Sequence, residues 1–291
     1  MSAVSRRAVI LGALALAGGS CGRRAPILAV GTGSRRREVI AELVAQWLER
    51  KLGSQIRCET GLGGGLAAHD ALLNGRVDVY PECSGFALTA ILKRPPDPRP
   101  EVVLERVRLE YENRYRLRWL DPLGFEDGFV MVVRRQVARS EELKTLSAAA
   151  LREEGWQLGA TGEFLTRPDG MAALMKAYPL RLRSGPSTLA PEAAYQALRE
   201  GKLSMVAGQA ADGELLDEEF VALEDDHQAL PPNQAVLVVR EQALASHAGL
   251  YEALSALSGR ISQQTARELN AAVLKGRSPV AVATAFLRQR L

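Results

Sequence analysis

The chain alternates short apolar segments with segments of helical periodicity, and this alternation constrains its fold more than any other feature. Helical periodicity follows each of three strand-like segments, APILAVG, QIRCETG and VDVYPE. A second block of the same kind begins at GFVMVVRR and includes WQLGA and LSMVAGQAAD. Because strands that alternate with helices form parallel sheets covered by helices, the sequence predicts an α/β fold with two lobes.

The order of the segments predicts a first lobe that is built from two separate parts of the chain. Three helical segments near the C-terminus need a partner surface, and the early α/β block can supply one. We therefore expect the first lobe to comprise residues 25–124 and 230–291, and the second lobe residues 125–229. The chain would cross near Gly124 and return near Pro231.

Loops after the first three strands are expected to face one crevice, because ligands of such sheets bind beyond the carboxyl ends of the strands. These loops contain Ser34, the glycines 63–65, and residues 82–84 with Cys83 and Ser84. The run GLGGG lacks the lysine of a phosphate-binding loop, so we interpret it as a tight strand-to-helix turn that can contact a ligand.

Arg167 is a candidate anion-binding residue in the segment GATGEFLTRPDG, between a predicted strand and a predicted helix. A guanidinium stays charged at physiological pH and presents planar N–H donors that fit a carboxylate or phosphate. The alternative is a solvated surface arginine. Arg35, Arg36 and Arg37 oppose the dipole of the helix that follows them, so either Glu38 and solvent or a bound anion offsets their charge.

The N-terminal segment MSAVSRRAVILGALALAGGSC has a basic pair, a short apolar run and small residues before Cys21. This layout predicts a signal peptide over residues 1–21. The small residues before the cysteine resemble a bacterial lipoprotein cleavage site, which implies lipid attachment at Cys21. The basic pair also leaves twin-arginine export open. We expect the protein in the periplasm or on the outer face of the cytoplasmic membrane.

The charge balance and the rare residues exclude several classes of function. The formal net charge of +3 falls to +1 without the two arginines of residues 1–20, so nothing favours nucleic acid or an acidic membrane. His69, His227 and His247 share no ligand motif, and the sequence predicts neither a metal nor a cofactor. Cys58 is expected in a strand and Cys83 in the turn after another strand; if these two strands flank a common neighbour, the cysteines lie too far apart for a disulfide.

Four segments, in chain order, resemble one protein family: GLGGGLAAHDALLNGRVDVYPECSGFALTAIL, LDPLGFEDGFVMVVRR, LGATGEFLTRPDGMAALMKAY and VALEDDHQALPPNQAVLVVRE. The family is the substrate-binding proteins of glycine betaine/choline-type (osmoprotectant) ABC transporters. This resemblance implies a type II periplasmic-binding-protein fold, in which two α/β lobes joined by two crossover strands close on a ligand. It also implies a monomer without enzymatic activity that delivers its solute to an ABC permease and its ATPase.

The resemblance also implies site residues, because the family holds a quaternary ammonium among tyrosine rings and a carboxylate on basic and hydroxyl groups. Arg167 matches the family's anion-binding arginine. Four tyrosines form the family's aromatic cage around the ammonium group. Phe129 and Tyr195 match two of these tyrosines, whereas Cys83 and Gln209 stand where the other two would be. Two cage rings are therefore absent.

The altered cage leads to a hypothesis about the ligand. Each cation–π contact contributes about 0.5–2 kcal/mol, so the loss of two rings weakens the binding of a quaternary ammonium. We expect a polar anionic or zwitterionic solute instead, with Arg167 on its acid group and Gln209 as donor and acceptor. Two alternatives are a ligand-sensing module that acts through a partner protein, and an enzyme that uses Cys83 beside Glu82, although no spacing ties these residues into a triad.

Overall fold

The computed structural model describes residues 28–33 and 37–290. The predictions for the signal peptide, for Cys21, for Ser34 and for Arg35 and Arg36 lie outside the described residues. The described parts of the chain contain ten strands and thirteen α-helices. The strands are β1 (Ala29–Gly31), β2 (Arg57–Glu59), β3 (Val79–Cys83), β4 (Leu117–Glu126), β5 (Phe129–Arg134), β6 (Leu158–Ala160), β7 (Ser187–Thr188), β8 (Met205–Gln209), β9 (Phe220–Ala222) and β10 (Gln234–Arg240).

The helices follow most of the strands, as the periodicity predicts. They are α1 (Glu38–Leu52), α2 (Gly65–Leu73), α3 (Ser84–Phe86), α4 (Pro100–Tyr115), α5 (Arg135–Ser140), α6 (Leu146–Ala150), α7 (Gly162–Thr166), α8 (Met171–Ala177), α9 (Pro191–Arg199), α10 (Glu241–Ser246), α11 (Leu250–Ser255), α12 (Gln263–Leu274) and α13 (Pro279–Arg290). A π-helical turn at Ala87–Ile91 extends α3. None of the described helices is long and apolar enough to span a membrane.

The strands form two five-stranded sheets, one in each lobe, in the orders β2-β1-β3-β10-β4 and β7-β6-β8-β5-β9. In the first sheet β1 runs parallel to β2 and β3, whereas β10 runs antiparallel to β3 and β4. In the second sheet β5 is antiparallel to β8 and β9. The sheets are therefore mixed rather than wholly parallel, because the strands that connect the lobes enter each sheet in the opposite direction.

The two connections between the lobes lie side by side. The first passes between the end of β4 at Glu126 and the start of β5 at Phe129, and the second returns just before β10. The N–H of Asp127 donates to the carbonyl oxygen of Asn233 at 2.9 Å, and Nδ2 of Asn233 donates to the carbonyl oxygen of Asp127 at 2.9 Å. These bonds couple the two connections, and they lie close to the predicted crossing points.

The core of each lobe is largely aliphatic and includes the tryptophans. Trp47, Trp119 and Trp156 are all buried, which places them in the core as the sequence patterns indicate. Nε1 of Trp47 donates to the carbonyl oxygen of Ala253 at 2.6 Å, and Nε1 of Trp156 donates to that of Ala149 at 2.9 Å. Both indole donors are thereby satisfied away from water.

The two described cysteines are free thiols. Cys58 lies in β2 and Cys83 at the end of β3, and these strands flank β1. The expectation that Glu82 and Cys83 follow the third strand was wrong: they are the last two residues of β3 and pair with Val236 and Ala235 of β10. The hydrogen-bonded ladder of β3 and β10 reaches Cys83 because β10 begins opposite this residue, directly after the second connection between the lobes.

Replacing Gly124 by alanine is expected to destabilise the protein. Gly124 has a φ of +114°, and a Cβ atom there would lie 2.9 Å from the backbone carbonyl oxygen of Ile261. We expect the free energy of unfolding to fall by about 1–3 kcal/mol in chemical denaturation. Gly53→Ala is the control: φ is +62° with open space around the position, so it should cost only about 1 kcal/mol. Equal losses in both variants would contradict a role for the close contact.

Candidate ligand-binding cleft

A cleft of about 780 Å³ lies between the two lobes. The first lobe contributes Glu38 at the start of α1 and the connection between α12 and α13, including Arg277. The second lobe contributes the starts of β5, α7 and α9 and the end of β8. The cleft therefore lies between helix ends of the first lobe and the strand and helix ends of the second. The glycines 63–65 and residues 82–84, which the sequence places at the crevice, are not among the residues that line it.

Phe129 and Gln209 are predicted site residues that the structure brings together in this cleft. They are direct partners across the antiparallel pair of β5 and β8, and both line the cleft. Gln209 is half-buried, and its backbone N–H donates to Oδ2 of Asp212 at 2.8 Å. The side-chain amide of Gln209 offers donors and an acceptor to a ligand, which stays a prediction.

Tyr195 lies behind the cleft wall. Its ring is 2% exposed and packs edge-on against Phe220, with 5.4 Å between the ring centroids. The hydroxyl donates to Oδ2 of Asp212 at 2.9 Å. This approach depends on Gly208, because a Cβ atom there would lie 2.3 Å from the tyrosine oxygen. The structure thus shows Tyr195 orienting an acidic residue of the cleft, and direct contact of its ring with a ligand stays a prediction.

Arg167 lies at the junction of the lobes and is held by two carboxylates. Its Nε and Nη2 donate to the two oxygens of Asp169 at 2.9 and 2.5 Å, and its Nη1 donates to Oε1 of Glu163 at 2.7 Å. The side chain of Arg167 is 10% exposed and that of Asp169 is 2% exposed, whereas Glu163 is 48% exposed and lines the cleft. Burial alone lowers the pKa of Arg167, but these carboxylates outweigh it and the pKa is raised.

Two phenylalanine rings flank this guanidinium. The Cζ atom of Arg167 lies 5.0 Å from the ring centroid of Phe86 and 4.9 Å from that of Phe129. Phe86 belongs to the first lobe and Phe129 begins the second. Asp169 also accepts a hydrogen bond from Oγ1 of Thr89 in the first lobe at 3.1 Å. One arginine, one carboxylate and two rings thus form one of the contacts between the lobes; α12 forms another, because Gln263 and Asn270 donate to backbone carbonyl oxygens of Ala210 and Ala211.

A second buried cluster centres on Arg37, which sequence reasoning did not assign to the site. Its Nη1 donates to Oε1 of Glu82 at 3.1 Å, and its Nε donates to Oδ2 of Asp127 at 3.3 Å. Burial raises the pKa of Glu82, against the opposing effect of Arg37 and of the N–H of Cys83. The only sequence signal was the run of three arginines before α1, because the partners of Arg37 are distant in the chain.

Cys83 and Ser84, two further predicted site residues, are buried in the first lobe. Oγ of Ser84 accepts a hydrogen bond from the N–H of Gln234 at 3.0 Å, so it joins α3 to β10. Burial raises the pKa of the Cys83 thiol well above its usual value, with Arg37 opposing the shift. The geometry therefore assigns both residues packing roles, and their contact with a ligand stays a prediction.

The described residues include no group of three or more histidine, cysteine, aspartate or glutamate side chains that could hold a metal ion. The side chains that line the cleft offer binding chemistry: an amide at Gln209, carboxylates at Glu163 and Asp212, and a guanidinium at Arg277. Arg167 does not line the cleft, but it donates to Glu163, which does. Such groups recognise a polar solute through charge and hydrogen bonds.

A family profile matches residues 31–289, and it describes the substrate-binding domain of ABC-type glycine betaine transport systems. The chain belongs to this family. Binding proteins of the family are extracytoplasmic and deliver small-molecule ligands to ABC permeases; they are transport components rather than enzymes. The type II periplasmic-binding-protein fold expected from the resemblance is confirmed by the structural neighbours.

Individual relatives agree with this assignment. The chain is 28% identical over 267 residues to the ergothioneine transport permease/ergothioneine binding protein EgtU of Helicobacter pylori, covering 91% of this chain and 47% of that protein. It is 27% identical over 256 residues to the carnitine transport binding protein OpuCC of Listeria monocytogenes, covering 87% and 82%. The chain thus spans about half of the Helicobacter pylori relative.

Among solved structures, a glycine betaine/carnitine/choline ABC transporter protein superposes with a TM-score of 0.80 at 25% identity, covering 90% of this chain and 98% of that chain. Apo YehZ from Escherichia coli superposes with a TM-score of 0.72 at 24% identity, covering 91% and 99%. Both superpositions extend over the two lobes. The second likeness concerns the fold alone.

Tyr195→Phe is expected to lower the free energy of unfolding by about 1–3 kcal/mol, because Asp212 loses a buried donor. Chemical denaturation measures the loss. Tyr251→Phe is the matched control, since Tyr251 is 47% exposed and its replacement should change stability by less than about 0.5 kcal/mol. The assigned bond is wrong if the two variants lose the same stability.

The Cys83 thiol is expected to resist alkylation in the folded protein. The residue is 1% exposed, and burial raises its pKa, which disfavours the reactive thiolate. Iodoacetamide labelling followed by mass spectrometry should modify Cys83 at least about tenfold more slowly in buffer than in denaturant. Rapid labelling of Cys83 in buffer would show instead an accessible, ionised thiol and reopen the enzyme hypothesis.

Proposed function

We propose that this chain is the solute-binding component of an ABC importer, which captures one small polar solute between its lobes and delivers it to a permease. The observation that carries this proposal is the cleft of about 780 Å³ lined by both lobes. Its volume falls within the roughly 300–1,000 Å³ of small-molecule sites, and the two connections beside it allow the lobes to move relative to each other.

The proposed solute carries an acid group and differs from glycine betaine and choline. Only one aromatic residue, Phe129, lines the described part of the cleft, and the cage positions at Cys83 and Gln209 have no ring. Gln209 supplies an amide, and Arg167 supplies a charge. Arg167 does not line the cleft, but it bonds to Glu163, which does; three of its five N–H groups donate to Asp169 and Glu163.

Glu163 marks the direction from which the acid group would reach Arg167. It lines the cleft, its side chain is half exposed, and its carboxylate accepts from Nη1 of Arg167. A ligand carboxylate could replace this exposed partner at low cost, whereas it could not replace the buried Asp169. The solute acid and Glu163 therefore compete for one face of the guanidinium.

The proposed partners are an ABC permease and its ATPase, and the proposed location is outside the cytoplasm with a lipid anchor at Cys21. The family assignment supports a permease partner, as does the Helicobacter pylori relative, whose name combines a permease with a binding protein. The binding component is proposed to act as a monomer.

The experiment that tests the function is identification of the solute itself. The protein is purified without denaturation, and small molecules released on unfolding are identified by mass spectrometry. Isothermal titration calorimetry then measures binding of betaine, carnitine, choline, ergothioneine, amino acids and small organic acids. Calorimetry suits this chain because Trp47, Trp119 and Trp156 are buried and none lines the cleft. We expect saturable binding of one acid-bearing solute, recovered chemically intact; the proposal fails if no solute is released and none binds.

Glu163→Gln is expected to tighten binding of that solute by about two- to fivefold, because it frees Nη1 of Arg167 and removes a negative charge from the cleft. Titration calorimetry of the variant and the parent measures the change. Glu153→Gln is the control, since Glu153 is exposed and does not line the cleft. Weaker binding in Glu163→Gln alone would mean that Glu163 contacts a cationic group of the solute.

A further inference from the structure

The two lobes repeat one local arrangement at the strand ends that lie away from the connections between them. The segments VVRRQVARS and VVREQALAS each complete a strand, β5 or β10, and form a six-residue helix, α5 or α10. Each strand ends in an arginine that packs on a glycine with positive φ. A Cβ atom at Gly201 would lie 3.3 Å from Nη1 of Arg134, and one at Gly75 would lie 2.8 Å from Nη1 of Arg240. The two arginines therefore hold equivalent positions.

The lobes differ in the residue next to this arginine. In the first lobe Nη1 of Arg240 donates to Oδ1 of Asp78 at 3.0 Å, and Oδ2 of Asp78 accepts from the N–H of Ala29 at 3.0 Å. In the second lobe a serine makes the corresponding backbone contact, because Oγ of Ser204 accepts from the N–H of Gln157 at 2.8 Å. The serine satisfies the backbone donor but carries no charge that could neutralise an arginine.

The strand registers place Ser204 and Asp78 in equivalent positions. The register of β3 and β10 sets Asp78 opposite Arg240. The register of β5 and β8, continued to the end of β5, sets Ser204 opposite Arg134. Directly opposed residues of antiparallel strands have Cβ atoms about 4.5–5.5 Å apart. Arg134 therefore has a serine as its neighbour where Arg240 has an aspartate.

Arg134 lies in a groove of about 740 Å³ on the second lobe, together with three further arginines. Four positive and two negative side chains line this groove, so its formal net charge is +2. These charged residues are Arg134, Arg135, Arg139, Arg199, Glu218 and Glu219. The groove is therefore locally basic, although the whole chain is nearly neutral.

Arg134 and Arg139 have no counter-charge within the described part of the chain. Nε of Arg134 is buried and has no hydrogen-bond partner there. Neither arginine forms an ion pair with a described carboxylate. The repeat of the first lobe has Ala245 where the second lobe has Arg139. Because a buried donor without a partner is costly, these guanidinium groups favour an anion in the groove.

The other two arginines of the groove are held by protein groups. Arg135 donates to two backbone carbonyl oxygens, which fix it without neutralising its charge. The first lobe has Glu241 at the equivalent position, so the charge is reversed between the lobes. Arg199 pairs with Asp217 at 2.7 Å and with Glu219 at 2.9 Å. The available positive charge thus comes from α5 and the end of β5 rather than from α9.

We propose that this groove binds a phosphate group, with Arg134 and Arg139 as its main ligands and Arg135 beside them. A phosphate presents oxygens in several directions and carries up to two charges, so several guanidinium groups can donate to it at once, whereas a carboxylate has two oxygens in one plane. The phosphate belongs either to a small molecule in solution or to a lipid headgroup.

The groove is separate from the cleft between the lobes. Phe129 lines the cleft at the start of β5, and Arg134 lies at the other end of this strand. β5 is six residues long, so its ends lie roughly 16 Å apart at about 3.3 Å per residue. Phosphate binding in the groove is therefore independent of the proposed transport function, which depends on the cleft.

Inorganic phosphate is the first probe. Titration calorimetry of the purified protein, at an ionic strength held constant with chloride, should give a Kd of about 1 mM or below. Arg134→Gln and Arg139→Gln should each weaken binding at least about fivefold, because each removes charge-assisted donors. Arg260→Gln is the control, since it removes the same charge from an exposed arginine outside the groove. Equal affinity in the parent and Arg134→Gln, or an equal loss in Arg260→Gln, overturns the proposal.

Ser204→Asp gives the second lobe the arrangement of the first and is a test in the opposite direction. The new carboxylate should pair with Arg134 as Asp78 pairs with Arg240. We expect the midpoint of thermal unfolding to rise and phosphate binding to weaken at least about tenfold. Ser204→Asn is the matched control, because it can accept the same backbone bond without a charge, and it should bind phosphate as the parent does. Unchanged phosphate binding in Ser204→Asp contradicts the proposal.

Vesicles identify the source of the phosphate group. Cosedimentation compares vesicles of phosphatidylcholine and phosphatidylglycerol in equal parts with vesicles of phosphatidylcholine alone, since a lipid anchor at Cys21 would insert into both. A preference for phosphatidylglycerol that Arg134→Gln removes supports a lipid headgroup. Binding of inorganic phosphate without such a preference supports a soluble phosphate compound. The proposal is wrong if the parent binds neither inorganic phosphate nor the anionic vesicles more strongly than Arg134→Gln does.

Discussion

Pairing of buried charge at the junction of the lobes is the constraint on which the rest of this structure depends. Asp169 and Glu82 are almost completely buried, and each has an arginine within hydrogen-bonding distance. An isolated buried carboxylate is costly, so Arg167 and Arg37 must stay close to these partners. Because the clusters include residues of both lobes, satisfying them also brings the lobes together around the cleft.

Hydrogen bonds of the two connections between the lobes act together with these charge pairs. Asp127 and Asn233 exchange hydrogen bonds, and Oδ1 of Asn233 also accepts from the N–H of Phe86 at 2.9 Å. One asparagine thus links both connections to the helix that carries the Phe86 ring. One network therefore positions the Phe86 ring, the guanidinium beside it and the backbone that connects the lobes.

Much of the fold could be predicted from the sequence because strand and helix periodicity is local. The helix from Glu38, the strand β2 within QIRCETG and the strand β6 within WQLGA lie where the patterns place them. The direction of β10 and the extension of β3 through Cys83 could not be read in this way, since both follow from pairing between residues about 150 positions apart. Of the site residues, Phe129 and Gln209 line the cleft, whereas Tyr195 is turned toward Asp212.

The sequence by itself determined the α/β class, the two lobes and the family to which the chain belongs, because these depend on periodicity and on short contiguous motifs. Only the tertiary structure decided which charges are neutralised. Arg167 stands in the family's motif for a ligand anion, yet its closest partners are Asp169 and Glu163, and its guanidinium lies over Phe86 and Phe129. Whether a charged side chain is available to a ligand depends on its burial and on its distance from other charges. Both are determined by residues that are far apart in the chain and meet only in the folded protein.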